Sequence, residues 1–316
     1  MKEESAIKKI AIAGAGTMGA TIAQVFAQAG YNVVLYDISD KSLSRGHSII
    51  ETNQKNLIDS GLLTETAAEQ SLSKIQFTTD LNTFKCADLV IEAVIEKIDV
   101  KHELLKKISS IVSEEAIIAT NTSGLSITEI AKAVSNKKRF AGMHWWNPPH
   151  LIPLIEIIKG EETSQETADE LIRIAKSLNK KPVLVKKDIL GFIGNRLQYA
   201  LLREALYLLE QDVATAEDID DAMKYGLGLR YSALGPIETV DLGGVDVFNN
   251  VGSYLFAALS NCKEVPQVLR ELYEQGNFGI KTGKGFFDYS DDKGEEVLKK
   301  RDKHLINMMK YILTEN

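Results

Sequence analysis

Cysteine is nearly absent: the 316 residues hold only Cys86 and Cys262, with no CxxC pair and no metal-ligand spacing. That sets aside thiol and zinc chemistry, and no metal is expected. Basic residues are outnumbered, 37 Lys and Arg against 44 Asp and Glu, giving a net charge of −7 without a long basic run. Nucleic acid is therefore excluded as the main partner. No apolar stretch approaches the roughly 18 residues of a membrane-crossing helix. Met1 to Lys9 is too polar for the apolar region of a signal peptide, so a cytoplasmic location is the default expectation. Internal repeats and low-complexity segments are also missing. What remains, 44% apolar and 26% charged residues, is ordinary globular composition at a length that suggests about two domains.

Through residue 187, apolar runs alternate with amphipathic ones, the α/β pattern of a doubly wound parallel sheet covered on both faces. Strands are expected over 9–13, 32–37, 75–78, 88–94, 116–121, 139–145, 154–158 and 182–185, with helices such as 17–29 and 100–112 between them. After Lys186-Lys187-Asp188 the texture changes: 193–211, 216–225, 238–259 and 265–275 read as helices with few strand signals. The expectation is an α/β domain over 1–187 and an all-α domain over 188–316. The charged stretch from Asp291 onward would be a peripheral helix or a frayed tail.

Ile10-Ala11-Ile12-Ala13 runs into Gly14-Ala15-Gly16-Thr17-Met18-Gly19, which opens a helix, and the next strand ends at Asp37. In this setting Gly14 permits a tight turn, Gly16 lets the backbone approach a pyrophosphate, and Gly19 lets helix and strand pack closely. Phosphates would rest on the helix N-terminus, where unpaired N–H groups and the dipole favour negative charge. Asp37 follows Gly19 by 18 residues, where a carboxylate accepts ribose hydroxyls and repels a 2′-phosphate; no Arg follows it directly. These features predict a Rossmann-type domain binding NAD rather than NADP. The plainer alternative is a glycine-rich turn with no ligand.

A second feature is Gly142-Met143-His144-Trp145-Trp146-Asn147-Pro148-Pro149, followed by Ile155-Glu156. If the chain reverses over 148–152 into two antiparallel strands, positions whose numbers sum to 300 face each other, and His144 lies opposite Glu156. A carboxylate on one imidazole nitrogen fixes the tautomer and leaves the other free to take a proton. A lone histidine in an apolar strand is more often a satisfied core residue. Beside a dinucleotide site, however, the pair points to alcohol oxidation: the base takes the hydroxyl proton while hydride leaves the same carbon for the nicotinamide. Trp145 and Trp146 would point to opposite faces of the strand, with core packing the default for either. His150, in a Pro-rich turn, reads as exposed.

Further motifs lie in the same order along the chain. They are Ile91-Glu92-Ala93-Val94-Ile95-Glu96, Asn121-Thr122-Ser123, Asp188-Ile189-Leu190-Gly191-Phe192-Ile193-Gly194-Asn195-Arg196, Gly235-Pro236 and Lys281-Thr282-Gly283-Lys284-Gly285-Phe286. From about Lys8 to Tyr289 the chain resembles the L-3-hydroxyacyl-CoA dehydrogenase family, which includes the 3-hydroxybutyryl-CoA dehydrogenases. The resemblance implies that His144 is the general base and Glu156 its orienting partner. It also implies that Asp37, Glu96, Lys101 and Asn121 meet the cofactor, with Lys281 as a weaker addition, and that Ser123, Asn147 and Asn195 surround the substrate. A homodimer with substrate bound between its domains is implied as well. Plainer alternatives stand beside these roles. Asn121-Thr122-Ser123 would cap a helix near Ser126, Asn147 would be a turn residue, and Glu96 with Lys101 a solvated pair.

Departures from the family pattern concern the substrate. CoA-using members tend to carry a lysine-rich helix after the second strand, whereas 41–60 here contains only Lys41, Arg45 and Lys55. Gly228-Leu229-Arg230-Tyr231-Ser232-Ala233-Leu234-Gly235-Pro236 and the segment 147–153 resemble relatives that oxidise free hydroxy acids: L-gulonate 3-dehydrogenase (lambda-crystallin), carnitine dehydrogenase and pyridine-carboxylate dehydrogenase. Arg230 is then a candidate carboxylate clamp, or else a surface arginine at a helix end. Three expectations follow: an NAD-dependent 3-hydroxyacyl-CoA dehydrogenase, the same chemistry on a free hydroxy carboxylate or aromatic alcohol, and a crystallin-like dinucleotide-binding protein without turnover.

Overall fold

A computed structural model describes residues 7–314. They form two compact units: one runs through Arg196 and takes back the residues from Arg301, and the other is Leu197–Lys300. The parting falls in the first turn of a helix, just past the change of texture at Asp188.

The first unit is built on one sheet of eight strands, β1 Lys9–Ala13, β2 Asn32–Tyr36, β3 Ile75–Thr78, β4 Leu89–Glu92, β5 Ile117–Thr120, β6 Phe140–Trp145, β7 Leu154–Ile158 and β8 Lys181–Val185. Their spatial order is β3-β2-β1-β4-β5-β6-β7-β8. β1 to β6 pair in parallel, while β7 pairs antiparallel with β6 and parallel with β8, so the last two strands run against the rest. The order reverses between β1 and β4, and the carboxyl ends of strands at such a switch point are where open α/β sheets bind ligands.

Helices α1 Thr17–Gln28, α2 Asp40–Asp59, α3 Glu65–Leu72, α4 Ile98–Ile111, α5 Ile127–Ala131 and α6 Gln165–Ser177 accompany the sheet. Alternation along β1 shows that both its faces are covered. Ile10 and Ile12 enter one core with Phe26 of α1 and Leu171 of α6, whereas Ala11 and Ala13 enter the other with Leu105 of α4 and Ile130 of α5. α1 buries every residue from Gly19 to Ala27. By contrast α2 buries one stripe, Leu43, Gly46, Ile50, Gln54 and Leu57, at helical spacing.

The second unit is helical: α7 Gly194–Glu210 from Leu197 onward, α8 Ala216–Ala222, a π-helical turn Met223–Gly228, α9 Leu229–Tyr231, α10 Pro236–Gly243, α11 Val245–Ala258 and α12 Gln267–Glu274. The single helix expected over 238–259 is two helices, because Gly244 takes φ 94°, outside any right-handed helix. The last element, α13 Lys293–Thr314, is a continuous helix. From Arg301 it belongs to the first unit, where Ile306 packs with Leu57 and Leu151 and Lys310 Nζ donates to Ser60 O at 2.6 Å. No helix among the described residues is long and apolar enough to cross a membrane.

Candidate active site

The glycine turn between β1 and α1 is shaped by contact. Gly14 sits at φ 110°, and a Cβ there would lie 2.6 Å from Ala93 O; a Cβ on Gly19 would collide with Gly14 O. Gly16 has nothing within 4 Å of its Cβ position, and as N-cap of α1 it offers no side-chain cap. Gly16 thus leaves space at the first turn of α1, beside Thr17 and Met18, where a helix N-terminus favours a phosphate. Asp37, at the end of β2, accepts Ala15 N–H on Oδ2 at 2.9 Å. Its other oxygen has no hydrogen-bond partner among the described residues. These residues fit a bound NAD.

Around the next strand ends lies a charge triad. Glu92, fully buried on β4, takes Lys101 Nζ at 2.8 Å, Thr120 Oγ1 at 2.6 Å and Val94 N at 2.8 Å. Lys101 also reaches Glu96 Oε2 at 3.1 Å. At 1% exposure Lys101 is a buried partner of two carboxylates rather than half of a solvated pair. Glu96 Oε1 accepts from Thr122 Oγ1 and, at 2.8 Å, from Ser123 N. Burial raises the Glu96 carboxyl, but these hydrogen bonds and the Lys101 charge outweigh it and hold the group below its usual value. Asn121 turns inward, its Oδ1 accepting Trp145 N–H at 2.8 Å. The capping alternative for 121–123 is not what forms, since Ser126 itself caps α5 through Glu129 N.

β6 and β7 pair with Gly142 opposite Ile158, Met143 opposite Ile157, His144 opposite Glu156 and Trp145 opposite Ile155. Both His144 and Glu156 are buried, with His144 Nδ1 at 2.8 Å from Glu156 Oε2. Glu156 Oε1 accepts Ile193 N at 2.9 Å and Gly194 N at 3.0 Å, and Oε2 also receives Trp146 Nε1 at 3.3 Å. Burial raises the Glu156 carboxyl, but the His144 and backbone hydrogen bonds outweigh it and leave the group below its usual value. An ionised carboxylate only accepts, so His144 Nδ1 carries the proton and Nε2 presents its lone pair.

The segment Asp188–Arg196 delivers those backbone donors. Asp188 anchors it, accepting Ser126 Oγ at 2.6 Å and Thr128 N at 2.8 Å. Gly191 and Phe192 then turn through positive φ, 75° and 52°, and aim the N–H groups that begin α7 at Glu156. Phe192 is buried edge-on to His144, ring centroids 5.6 Å apart. Asn195 follows, its Nδ2 donating to Ser123 O at 2.6 Å, which ties the loop after β5 to α7. His144 thus meets Glu156, Glu156 the N–H of Gly194 beside Asn195, and Asn195 joins through Ser123 to Glu96.

Asn147 is exposed, while Arg230 on α9 and Lys281 in the loop bridged by Gly279 and Lys284 are exposed residues of the second unit. Trp145 is core, against Phe26. His150 is half-buried rather than exposed. Sequence reasoning did not reach Ile193 N, Gly194 N and Trp146 Nε1 as partners of Glu156. The motif 188–196 and the Trp-Trp pair were the signals available.

Comparison with known proteins bears on this geometry. The family described as "3-hydroxyacyl-CoA dehydrogenase, NAD binding domain" matches residues 9–189, and its "C-terminal domain" counterpart matches 191–289. The chain is 37% identical over 301 residues to 5-formyl-3-hydroxy-2-methylpyridine 4-carboxylate 5-dehydrogenase of Mesorhizobium japonicum, covering 95% of this chain and 96% of that one. It is 38% identical to the mitochondrial hydroxyacyl-coenzyme A dehydrogenase of Homo sapiens, with 90% and 91% covered. Among solved structures, a 5-formyl-3-hydroxy-2-methylpyridine 4-carboxylic acid 5-dehydrogenase, an NAD+-dependent dismutase, matches with TM-score 0.90 at 36% identity, covering 96% of this chain and 98% of that one. The (S)-3-hydroxybutyryl-CoA dehydrogenase of Ralstonia eutropha matches with TM-score 0.76 at 38% identity, covering 90% and 100%.

Proposed function

The chain belongs to the 3-hydroxyacyl-CoA dehydrogenase family of NAD-dependent oxidoreductases, and from that premise we propose that His144 and Glu156 are the proton-transfer pair in oxidation of an L-3-hydroxyacyl-CoA. The observation that carries the reading is the buried 2.8 Å contact between His144 Nδ1 and Glu156 Oε2. It leaves Nε2 to accept the proton of the substrate hydroxyl. Bound NAD would supply the hydride acceptor, held by Gly14 to Gly19, Asp37 and Glu96. Lys101 and Asn121 serve at one remove, Lys101 by fixing Glu96 and Asn121 by fixing the end of β6. Ser123 and Asn195, joined by their own hydrogen bond, are the polar groups for the oxygen that becomes a carbonyl.

A second reading keeps the chemistry and changes the substrate to a free hydroxy carboxylate or aromatic alcohol. Two observations favour it. The fuller structural match is to the pyridine-carboxylate dehydrogenase. On α2, Lys55 is already paired with Asp59 at 3.4 Å, leaving few cations for CoA phosphates. In this reading Arg230 is the carboxylate-binding residue. NADH formation on L-3-hydroxybutyryl-CoA and on a panel of free hydroxy acids and hydroxymethylpyridine carboxylates separates the two. Turnover of a free hydroxy acid undiminished in Arg230→Ala removes the clamp, and no turnover on either panel removes both readings in favour of a non-catalytic binding protein. We also infer a homodimer formed through the second unit, whose apolar side chains lie open along α10 and α11.

A further inference from the structure

We propose that Trp146 is a positioning residue of the proton-transfer pair: its indole N–H shares Glu156 Oε2 with His144 and so weakens the carboxylate's hold on the imidazole. This rests on the reading of His144 as the base. Trp146 Nε1 lies 3.3 Å from Oε2, the oxygen that takes His144 Nδ1 at 2.8 Å, while Oε1 is filled separately by Ile193 and Gly194. The indole and imidazole centroids are 5.7 Å apart at 53°. Gly194 makes the placement possible, because a Cβ there would collide with Trp146 Cζ2. One glycine therefore does two things: its N–H binds one carboxylate oxygen, and its missing side chain admits the ring that binds the other.

A carboxylate oxygen with two donors offers less charge to each than an oxygen with one. Tryptophan suits this role because it donates, never accepts and does not titrate. Charged groups on the surrounding segments are occupied elsewhere. Arg196 of α7 donates to Leu190 O, Asp188 holds Ser126 and Thr128, and Glu96 is held by Lys101, Thr122 and Ser123. From β8 the residue opposite Glu156 is Val183, and β5 ends in Thr120. The groups acting on the Glu156 carboxylate are His144 and uncharged backbone and indole donors.

Trp146→Phe keeps an aromatic ring over Gly194 and deletes the donor. Oxidation requires an unprotonated base, and with Oε2 left to His144 the pair releases its proton at higher pH. The acid limb of kcat/KM against pH is expected to move up by about half a unit. A limb that stays in place or moves down, whatever the plateau does, makes Trp146 a packing residue and overturns the proposal. The chain has two tryptophans, so their indole N–H resonances also report directly. With Trp146 in place, its resonance is expected to shift between the unmutated enzyme and Glu156→Gln, and an unmoved resonance overturns the proposal even if Trp146→Phe does not fold. Near-normal turnover in His144→Gln would instead defeat the base reading and leave the resonance result standing.

Discussion

Glu156 has donors on both oxygens, and in the proposed proton-transfer pair that crowding sets what it does for His144. A carboxylate so fully hydrogen-bonded orients the imidazole rather than competing for the substrate proton. His144→Gln is therefore expected to fold, to bind NADH by fluorescence titration and to lose about 10²- to 10⁴-fold in turnover. A different histidine governs stability. His150 is pushed down to about 4, first by burial and then by the charges of Lys180 and Arg301. The unfolded chain takes up that proton near its ordinary value of 6.5 and the folded chain only near 4, so folding loses stability as pH falls through that window. Glu156, Glu96 and Asp188 are held low instead; what they contribute is present above the usual carboxylate value and lost as pH falls below it. Melting curves at pH 7 and pH 5 are expected to lie closer together in His150→Gln than in the unmutated chain. At this scale the pairing of His144 with Glu156 was legible, because numerical spacing across the reversal sets which residues face each other. Lys101 was not: its burial depends on Glu92, whose carboxylate is indistinguishable in the sequence from a surface one.

Among the elements, α7 bears on the site from its first residue. Its opening N–H groups, Ile193 just before it and Gly194 within it, meet Glu156 with the favourable end of the helix dipole. Gly194→Ala is expected to displace Trp146, lower stability by about 1–3 kcal/mol and reduce kcat, read by thermal unfolding and steady-state kinetics. Retained stability and rate would show that the ring has room to spare. Backbone donors have no residue type, which is why this half of the Glu156 environment was not readable beforehand. The strands were readable because coverage on both faces makes them nearly continuous apolar runs, and the β6–β7 register followed from the tight reversal between them. The break at Gly244 did have a signal, the Gly243-Gly244 pair, because two consecutive glycines mark a turn where a single one inside a helical pattern is tolerated.

For the whole molecule, the two units differ in how far one chain completes them. In Leu197–Lys300 the buried side chains are Leu206 and Thr239, while Ile237, Leu242, Tyr254 and Phe256 are exposed by 67% or more. Light scattering coupled to size exclusion is expected to give twice the 34.9 kDa chain mass, and Phe256→Glu to shift it toward the monomer. A monomer in the unmutated protein would count against the dimer.

Because residues from Arg301 pack with the first unit, that unit is discontinuous in the chain. Ile306 lies against Leu57 and Leu151, and Leu151 belongs to the reversal that joins His144's strand to Glu156's. During synthesis the nucleotide-binding sheet can leave the ribosome and pair its strands well before this prop exists. The site thus acquires its final support only when the carboxyl-terminal helix arrives, and no single proteolytic cut can release the first unit intact.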